Sequence, residues 1–140
     1  MYTYEYPRAA LTVDSIVFIK RGEESRVLLI QRGREPFKNK WALPGGFVDM
    51  NETLEKACIR ELEEETGLVV KRMEQFKAYD AIGRDPRHRT ISIVFSAELE
   101  SEFEVKGGDD ASQAGWFSRS DLPELAFDHR QILEDFFNSK

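Results

Sequence analysis

One segment, residues 52–67, has the pattern of an amphipathic helix but carries charges where such a helix should be apolar. Thr53 is a typical N-cap residue, and Gly67 stands where a left-handed C-terminal residue belongs, so we predict a helix over 53–66. Successive helical residues are ~100° apart. This spacing places Leu54, Ala57, Cys58 and Leu62 on the face directed at the core.

Three carboxylates, those of Glu61, Glu64 and Glu65, fall on or beside that same face. A solvated acidic face is the usual explanation of a Glu-rich helix, and it fits Glu55 and Glu63. It does not fit the other three, which also crowd the negative end of the helix dipole, where each costs ~0.3–1 kcal/mol. Such departures from local rules are typical of functional sites. A divalent cation would turn the repulsion into binding, and ligands that are all oxygen favour Mg²⁺ or Mn²⁺ over zinc.

Composition limits the possible functions. The chain of 140 residues is 41% apolar and 33% charged, which predicts a single globular domain over 1–140. No run approaches the ~18 apolar residues of a membrane span, and residues 1–8 lack the order of a secretory signal. A net charge of −6 argues against a nucleic-acid partner. The single cysteine, Cys58, suits a reducing cytoplasm and is expected to be a small core residue.

The remaining chain predicts strands mixed with one further helix, as in an α/β or α+β layered domain. The predicted strands are 9–20, 26–31, 69–78, 90–99 and 113–117, and residues 41–43 are a short apolar segment. The first two form a hairpin. Pro44-Gly45-Gly46 predicts a turn in which the backbone could approach a ligand closely. Asp128 is expected to cap a last helix to about residue 138, with Gln131 completing a capping-box-like pair.

The acidic helix and the glycines before it resemble the signature motif of the Nudix hydrolase family. The pattern specifies nine positions, and this chain matches all of them. They are Gly46, Glu52, Arg60, Glu61, Leu62, Glu64, Glu65, Gly67 and Leu68. The resemblance implies the Nudix fold, an α/β/α sandwich with a central mixed β-sheet, and metal-dependent hydrolysis of a diphosphate linked to another group.

The resemblance also implies roles for individual residues. Glu61 and Glu65 would be the principal Mg²⁺ ligands, joined by Glu64, as a ligand or a partner of metal-bound water, and by the Gly45 carbonyl. Arg60 would orient the glutamates, and Glu52 would support the loop and helix. The family often takes its general base from a later loop. Here Asp109 and Asp110 are preferred over Glu100, Glu102 and Glu104, although any one of these is as readily a solvated loop charge.

Further segments are similar to one branch, the ADP-ribose pyrophosphatases and their relatives. They include Tyr6-Pro7-Arg8, Arg84-Asp85-Pro86-Arg87, Gly108-Asp109-Asp110-Ala111 and Leu125-Ala126-Phe127-Asp128-His129. The implied reaction converts ADP-ribose and water to AMP and ribose 5-phosphate. Some relatives are regulators with a C-terminal winged helix; because this sequence ends at Lys140, soon after the last predicted helix, we expect the stand-alone enzyme instead. Hydrolysis of nucleoside triphosphates, oxidised nucleotides or nucleotide sugars remains an alternative, as does a non-catalytic ADP-ribose sensor.

Candidate substrate-binding residues are mostly arginines. Arg84 and Arg87, with Arg89, could hold a phosphate or the terminal ribose, or could equally pair with surface acids; Arg32 and Arg34 are similar candidates. Phe37 or Tyr6 could stack on adenine, although such aromatics are more often core. Trp41 and Trp116 are assigned to packing, His129 to the surface, and Asp14 to a buried structural role. A homodimer that completes the substrate pocket is an open expectation.

Overall fold

A computed structural model describes residues 3–22, 24–108 and 111–140. Within these residues the chain forms one seven-stranded sheet and two helices. The strands are β1 (Ala10–Ile19), β2 (Arg26–Arg32), β3 (Trp41–Ala42), β4 (Gly45–Phe47), β5 (Glu74–Tyr79), β6 (Thr90–Leu99) and β7 (Ala111–Ser118). The helices are α1 (Leu54–Thr66) and α2 (His129–Asn138). No helix in the described ranges is long and apolar enough to cross a membrane.

Strand β1 is the centre of the sheet. It pairs in parallel with β6 along its whole length, and antiparallel with both β2 and β4 on its other side. Strand β2 contacts only the last residues of β1, so β4 can pair with β1 at residues 12–14. Strand β5 then pairs with β6, and β3 and β7 pair with β2. The combination of parallel and antiparallel pairs confirms the predicted mixed sheet.

The sheet is covered on both faces, because alternate residues of β1 point to opposite sides. Val13 and Val17 pack with the apolar side of α1 in one buried cluster. Ile16 and Phe18 pack on the other face with α2, where Phe136 is the largest fully buried side chain. The result is the predicted α/β/α sandwich.

Helix α1 begins and ends as its local sequence predicts. The Thr53 hydroxyl accepts a hydrogen bond from the Lys56 backbone N–H at 3.2 Å, and Gly67 is left-handed with φ of 79°. The Gly67 N–H closes the last turn on the Glu63 carbonyl at 2.8 Å. Cys58 is fully buried against the sheet, as expected.

One predicted turn and two predicted strands need correction. Gly45 and Gly46 are not a turn but part of β4, because β1 offers them a pairing partner. The strand predicted over 69–78 begins only at Glu74, since the preceding residues pack on α1 and the Met73 N–H bonds the Glu55 carboxylate. Strand β7 is longer than predicted because it pairs with β2 along that strand.

The predicted cap of the last helix is wrong. Asp128 occupies the N-cap position of α2 but makes no side-chain capping bond. Its two carboxylate oxygens accept instead from Arg84, at 2.9 and 2.6 Å. Gln131 donates to Asp135 and not to the cap. A bidentate bond to a guanidinium is stronger than a bond to one backbone N–H, so the tertiary partner prevails.

Candidate active site

An open cavity of about 280 Å³ lies where α1, β4, the 80–89 loop and the start of α2 meet. Its wall carries charges of both signs. The acidic residues are Asp14, Asp49, Glu61, Glu65 and Asp85; the basic ones are Arg32, Arg34, Arg84 and Arg87, with His129 beside them. A cavity of this kind suits a ligand that carries negative charge and is accompanied by cations.

Helix α1 supplies the acidic wall. Glu65 is only 6% exposed, and the Glu61 side chain only 13%. One Glu65 oxygen accepts from the Gly45 N–H at 2.8 Å, which joins the helix to β4. Glu64 lies at the edge and is exposed, as the helical spacing predicts. Two carboxylates therefore lie at the interior on a helix whose last turn contains no basic residue.

Gly45 and Gly46 allow β4 to pass directly beside these carboxylates. A Cβ atom at Gly46 would lie 2.6 Å from the Glu61 carboxyl carbon. At Gly45 it would lie 2.2 Å from the Val13 carbonyl oxygen and 2.4 Å from a carboxylate oxygen of Asp14. Close approach, and not a turn, therefore restricts both positions: at Gly45 the obstacle includes backbone, whereas at Gly46 it is the end of the Glu61 side chain.

Arg60 neutralises much of the acidic wall. Its guanidinium bonds Glu52 at 2.6 Å, Glu61 at 2.7 Å and Glu64 at 3.0 Å, and it also donates to the Phe47 carbonyl at 3.1 Å. These bonds raise the pKa of Arg60 and lower that of Glu52. This contact set supports the predicted roles of Arg60 in orienting glutamates and of Glu52 in holding the loop.

The acidic wall fits a hard divalent cation in its chemistry. Every candidate donor is an oxygen, and a guanidinium already lies between the Glu61 and Glu64 carboxylates as a stand-in cation. In the described part of the chain, no three His, Cys, Asp or Glu side chains yet converge closely enough to hold a metal. In this structure the Glu61 and Glu65 carboxylates accept from N–H donors of Arg60 and Gly45.

The basic wall is organised around the ring of Phe127. The Arg32 guanidinium lies over this ring at 5.0 Å and that of Arg87 at 5.8 Å, while Arg87 also faces Phe47 at 5.7 Å. Burial, assisted by the nearby charge of Arg87, lowers the pKa of Arg32. Like charges converging on a cavity are unfavourable without an anion, so this wall favours an anionic ligand.

Arg84 and Arg87 are both paired with carboxylates. The Arg84 side chain is 5% exposed, and Asp128 binds it through both oxygens. Asp85 binds the Nε and Nη2 atoms of Arg87 at 3.0 and 2.7 Å. Burial alone would raise the pKa of Asp85, but the bonds from Arg87 outweigh it and lower that pKa to about 2. Arg84 therefore connects its loop to the start of α2. The guanidinium of Arg87, by contrast, stays partly exposed to the cavity.

Other predicted residues lie elsewhere. Phe37 does not line the cavity; its ring packs edge-on against Phe127 at 4.8 Å. Tyr6 is 71% exposed. Glu102 pairs with Arg26 at 2.9 Å. Asp109 and Asp110 lie outside the described residues.

The residues just before Asp109 approach the acidic wall. A Cβ atom at Gly108 would lie 2.6 Å from the Glu64 carbonyl oxygen, and the Lys106 N–H donates to the Thr66 carbonyl at 3.1 Å. This loop therefore docks on the end of α1 that carries the glutamates.

Two residues of the cavity, His129 and Phe127, differ from the sequence-based expectation. His129 is not at the surface but 4% exposed, because its ring lies against the Leu43 backbone and against Asp14 of β1. Phe127 is not among the predicted site residues, and no local sequence pattern predicts its positive φ of 53°. Asp14 is buried and accepts from the Ser92 hydroxyl, which confirms its expected hydrogen-bonded environment.

Comparison with known proteins identifies the class. The NUDIX domain profile matches residues 10–136, so the chain belongs to the Nudix family, as its motif predicts. An ADP-ribose pyrophosphatase of Methanocaldococcus jannaschii is 44% identical over 135 residues, covering 96% of this chain and 77% of that protein. The likeness to ADP-ribose pyrophosphatases is thereby confirmed.

Solved structures agree with this assignment. The NUDIX domain of Shewanella oneidensis NrtR, complexed with ADP ribose, superposes with a TM-score of 0.87 at 32% identity, covering 96% of this chain and 90% of that chain. A bifunctional NMN adenylyltransferase/ADP ribose pyrophosphatase of Francisella tularensis, complexed with AMP and an Mn ion, gives 0.86 at 31% identity. This chain covers 43% of that longer one.

Proposed function

We propose that this protein is a Mg²⁺- or Mn²⁺-dependent diphosphatase that hydrolyses ADP-ribose to AMP and ribose 5-phosphate. The observation that carries the proposal is a single cavity with an acidic wall from α1 and a basic wall around Phe127. Its named relatives support the substrate: one is an ADP-ribose pyrophosphatase, and a structural neighbour was crystallised with ADP ribose.

Glu61, Glu65 and Glu64, with the Gly45 carbonyl, would hold the metal. When bound, the ion supplies positive charge to the diphosphate and makes water a stronger nucleophile at neutral pH. Arg60 would release part of its contact with Glu61 and Glu64 while Glu52 keeps it in place. A longer structural neighbour was crystallised with AMP and an Mn ion, which agrees with the use of a divalent cation.

Arg87 and Arg32 would bind the diphosphate from the opposite wall, with Arg34 at the rim. Their convergence on Phe127 supports this role, because an anion relieves the repulsion between them. The attacking water adds to one phosphorus while the bond from that phosphorus to the bridging oxygen breaks. The departing phosphate retains that oxygen, so AMP and ribose 5-phosphate are the products.

Asp109 and Asp110 are the proposed sources of the general base that accepts the proton of the water. The approach of Gly108 to the Glu64 carbonyl supports a loop close to the acidic wall. We also propose that the protein lies in a reducing compartment of the cell and forms a homodimer. The single Cys58 is consistent with the former.

Turnover of a diphosphate panel in Mg²⁺ tests the proposal. The panel contains ADP-ribose, NADH, ADP-glucose, a diadenosine polyphosphate, and normal and oxidised nucleoside triphosphates. We expect ADP-ribose to have the highest kcat/KM, to give AMP, and to lose turnover in EDTA. Preference for another compound would reject ADP-ribose as the main substrate but would still support metal-dependent hydrolysis of a diphosphate. Binding of ADP-ribose without any turnover would favour a sensor.

Glu65→Gln tests the metal assignment. The change removes one ligand charge but retains an oxygen for the Gly45 N–H, so the fold should remain. We expect kcat to fall by roughly 10²–10³-fold or more. Glu63→Gln is the matched control, because Glu63 lies on the exposed side of the same helix turn. Equal activity of the two variants would show that the metal is not held at Glu65.

A further inference from the structure

Two polar atoms in the cavity lie close together but do not hydrogen-bond. The Nε2 atom of His129 is 3.8 Å from Oδ1 of Asp14, beyond the roughly 2.7–3.2 Å of a normal bond. Both residues line the cavity, and both are more than nine-tenths buried. Because both side chains line the cavity, a group placed between the two atoms could bond to both.

The protonation of His129 follows from its other nitrogen. The Leu43 backbone N–H donates to Nδ1 at 3.0 Å, so Nδ1 carries no proton. The proton of the neutral ring must then lie on Nε2, which is a donor facing Asp14. Burial lowers the pKa of His129, although the Asp14 and Asp128 carboxylates oppose the shift. The ring is therefore a neutral donor held by the backbone.

Asp14 is the fixed acceptor opposite that donor. Its Oδ2 atom accepts from the Ser92 hydroxyl, which joins β1 to β6. Its Oδ1 atom also lies beside Gly45, where a Cβ atom would be 2.4 Å away. Within the described residues, no hydrogen bond reaches Oδ1. The same carboxylate thus retains an unused acceptor next to the Nε2 donor.

A hydroxyl group satisfies both atoms at once, since it accepts one hydrogen bond and donates another. A phosphate can accept from His129 but cannot donate to Asp14, whose charge would repel it. The nearby Arg84 cannot offset that repulsion, because Asp128 occupies its guanidinium through both oxygens. A ligand hydroxyl is therefore the best match to this part of the cavity.

We propose that Asp14 and His129 form a subsite for a sugar hydroxyl of the substrate. The Nε2–H of His129 donates to the hydroxyl oxygen, and the hydroxyl donates to Oδ1 of Asp14. The inference rests on the proposed function, in which either ribose of ADP-ribose supplies the group. The two residues are specificity-determining and play no part in the proton transfer of hydrolysis.

Two substitutions of His129 separate its nitrogens. In His129→Asn the side-chain oxygen can still accept from the Leu43 N–H, but the Nε2 donor is lost. His129→Gln can place an N–H near the former Nε2 position. We expect His129→Asn to lower kcat/KM for ADP-ribose roughly 10-fold or more, mainly through KM, and His129→Gln to recover part of the loss. Asp14→Asn provides a second test if His129→Asn lowers the urea midpoint.

Deoxy analogues identify the hydroxyl. ADP-ribose lacking one hydroxyl on the adenosine ribose is compared with analogues lacking one on the terminal ribose. For one analogue, kcat/KM of the wild-type protein should already be lower than for ADP-ribose. With that analogue, His129→Asn should cause little further loss of kcat/KM. The analogue that behaves so identifies which sugar occupies the subsite.

The outcomes distinguish this inference from the proposed function. If His129→Asn lowers kcat/KM equally for ADP-ribose and for every analogue, His129 has only a structural role. If His129→Asn leaves the kinetics unchanged, only a water lies between His129 and Asp14. Either result would overturn the subsite while the hydrolase stands. A wild-type protein that hydrolyses no compound of the panel would overturn the proposed function and the subsite together.

Discussion

Gly46 decides where the Glu61 carboxylate can lie. A Cβ atom at this position would meet the flexible end of a side chain, whereas at Gly45 it would meet the backbone oxygen of Val13 at 2.2 Å. Neither glycine has a positive φ, so close approach alone excludes a side chain. The two neighbours therefore separate an effect on the site from an effect on the fold.

We expect Gly46→Ala to displace Glu61 and to lower kcat by roughly 10-fold or more while the protein stays folded. Gly45→Ala should instead lower the free energy of unfolding by roughly 1–3 kcal/mol, because a clash with backbone needs a shift of the strand. Steady-state kinetics and urea unfolding of both variants measure the two effects. An unfolded Gly46→Ala beside a stable Gly45→Ala would contradict this assignment.

Among the elements, the loop between β5 and β6 brings two arginines to the cavity and is held by ion pairs. Arg84 joins it to Asp128 at the start of α2, and Arg87 is held by Asp85 within the loop. The Arg89 guanidinium donates to the Asp80 carbonyl at 2.6 Å. A loop without regular secondary structure is thus ordered by charged hydrogen bonds.

Asp85→Asn tests how much that order stabilises the fold. The folded-state pKa of Asp85 is about 2, below the usual value of 3.8, so its stabilisation is present above about pH 4 and is lost as pH falls through about 2. We expect the variant to be less stable by about 2 kcal/mol at pH 7. Urea unfolding of both proteins from pH 7 to 2.5 should show the difference shrinking; a constant difference would argue against the ion pair.

The whole molecule is acidic, whereas the diphosphate of its proposed substrate is an anion. Its net charge is −6, and five carboxylates line the same cavity as the four arginines. A divalent cation resolves the conflict, because it is attracted by the protein and in turn attracts the phosphates. Metal binding should therefore be linked to folding stability.

We expect Mg²⁺ or Mn²⁺ to raise the Tm of the wild-type protein, since a ligand at about 100 times its Kd adds about 2.7 kcal/mol. Glu65→Gln should lose most of this increase. Without metal the variant should be at least as stable as wild type, because one repelling charge is gone. Thermal scans with and without EDTA provide the measurement, and an equal metal response of both proteins would locate the ion elsewhere.

The sequence by itself determined the features that depend on neighbouring residues. The cap at Thr53, the left-handed Gly67 and the periodic apolar face define α1, and the same spacing directs Glu61 and Glu65 inward. The Nudix motif spans residues 46–68, with five of its nine positions in that helix. For these features the chain needs no distant partner, since hydrogen bonds and side-chain directions repeat with the helix.

Only the tertiary structure decided which distant groups meet. Asp128 leaves the helix cap for Arg84, and His129 is buried against Leu43 and Asp14. Gly45 and Gly46 form a strand because β1 lies beside them. Each outcome depends on competition between a local partner and one far along the chain. Their relative positions are set by sheet pairing and packing, which no local pattern specifies.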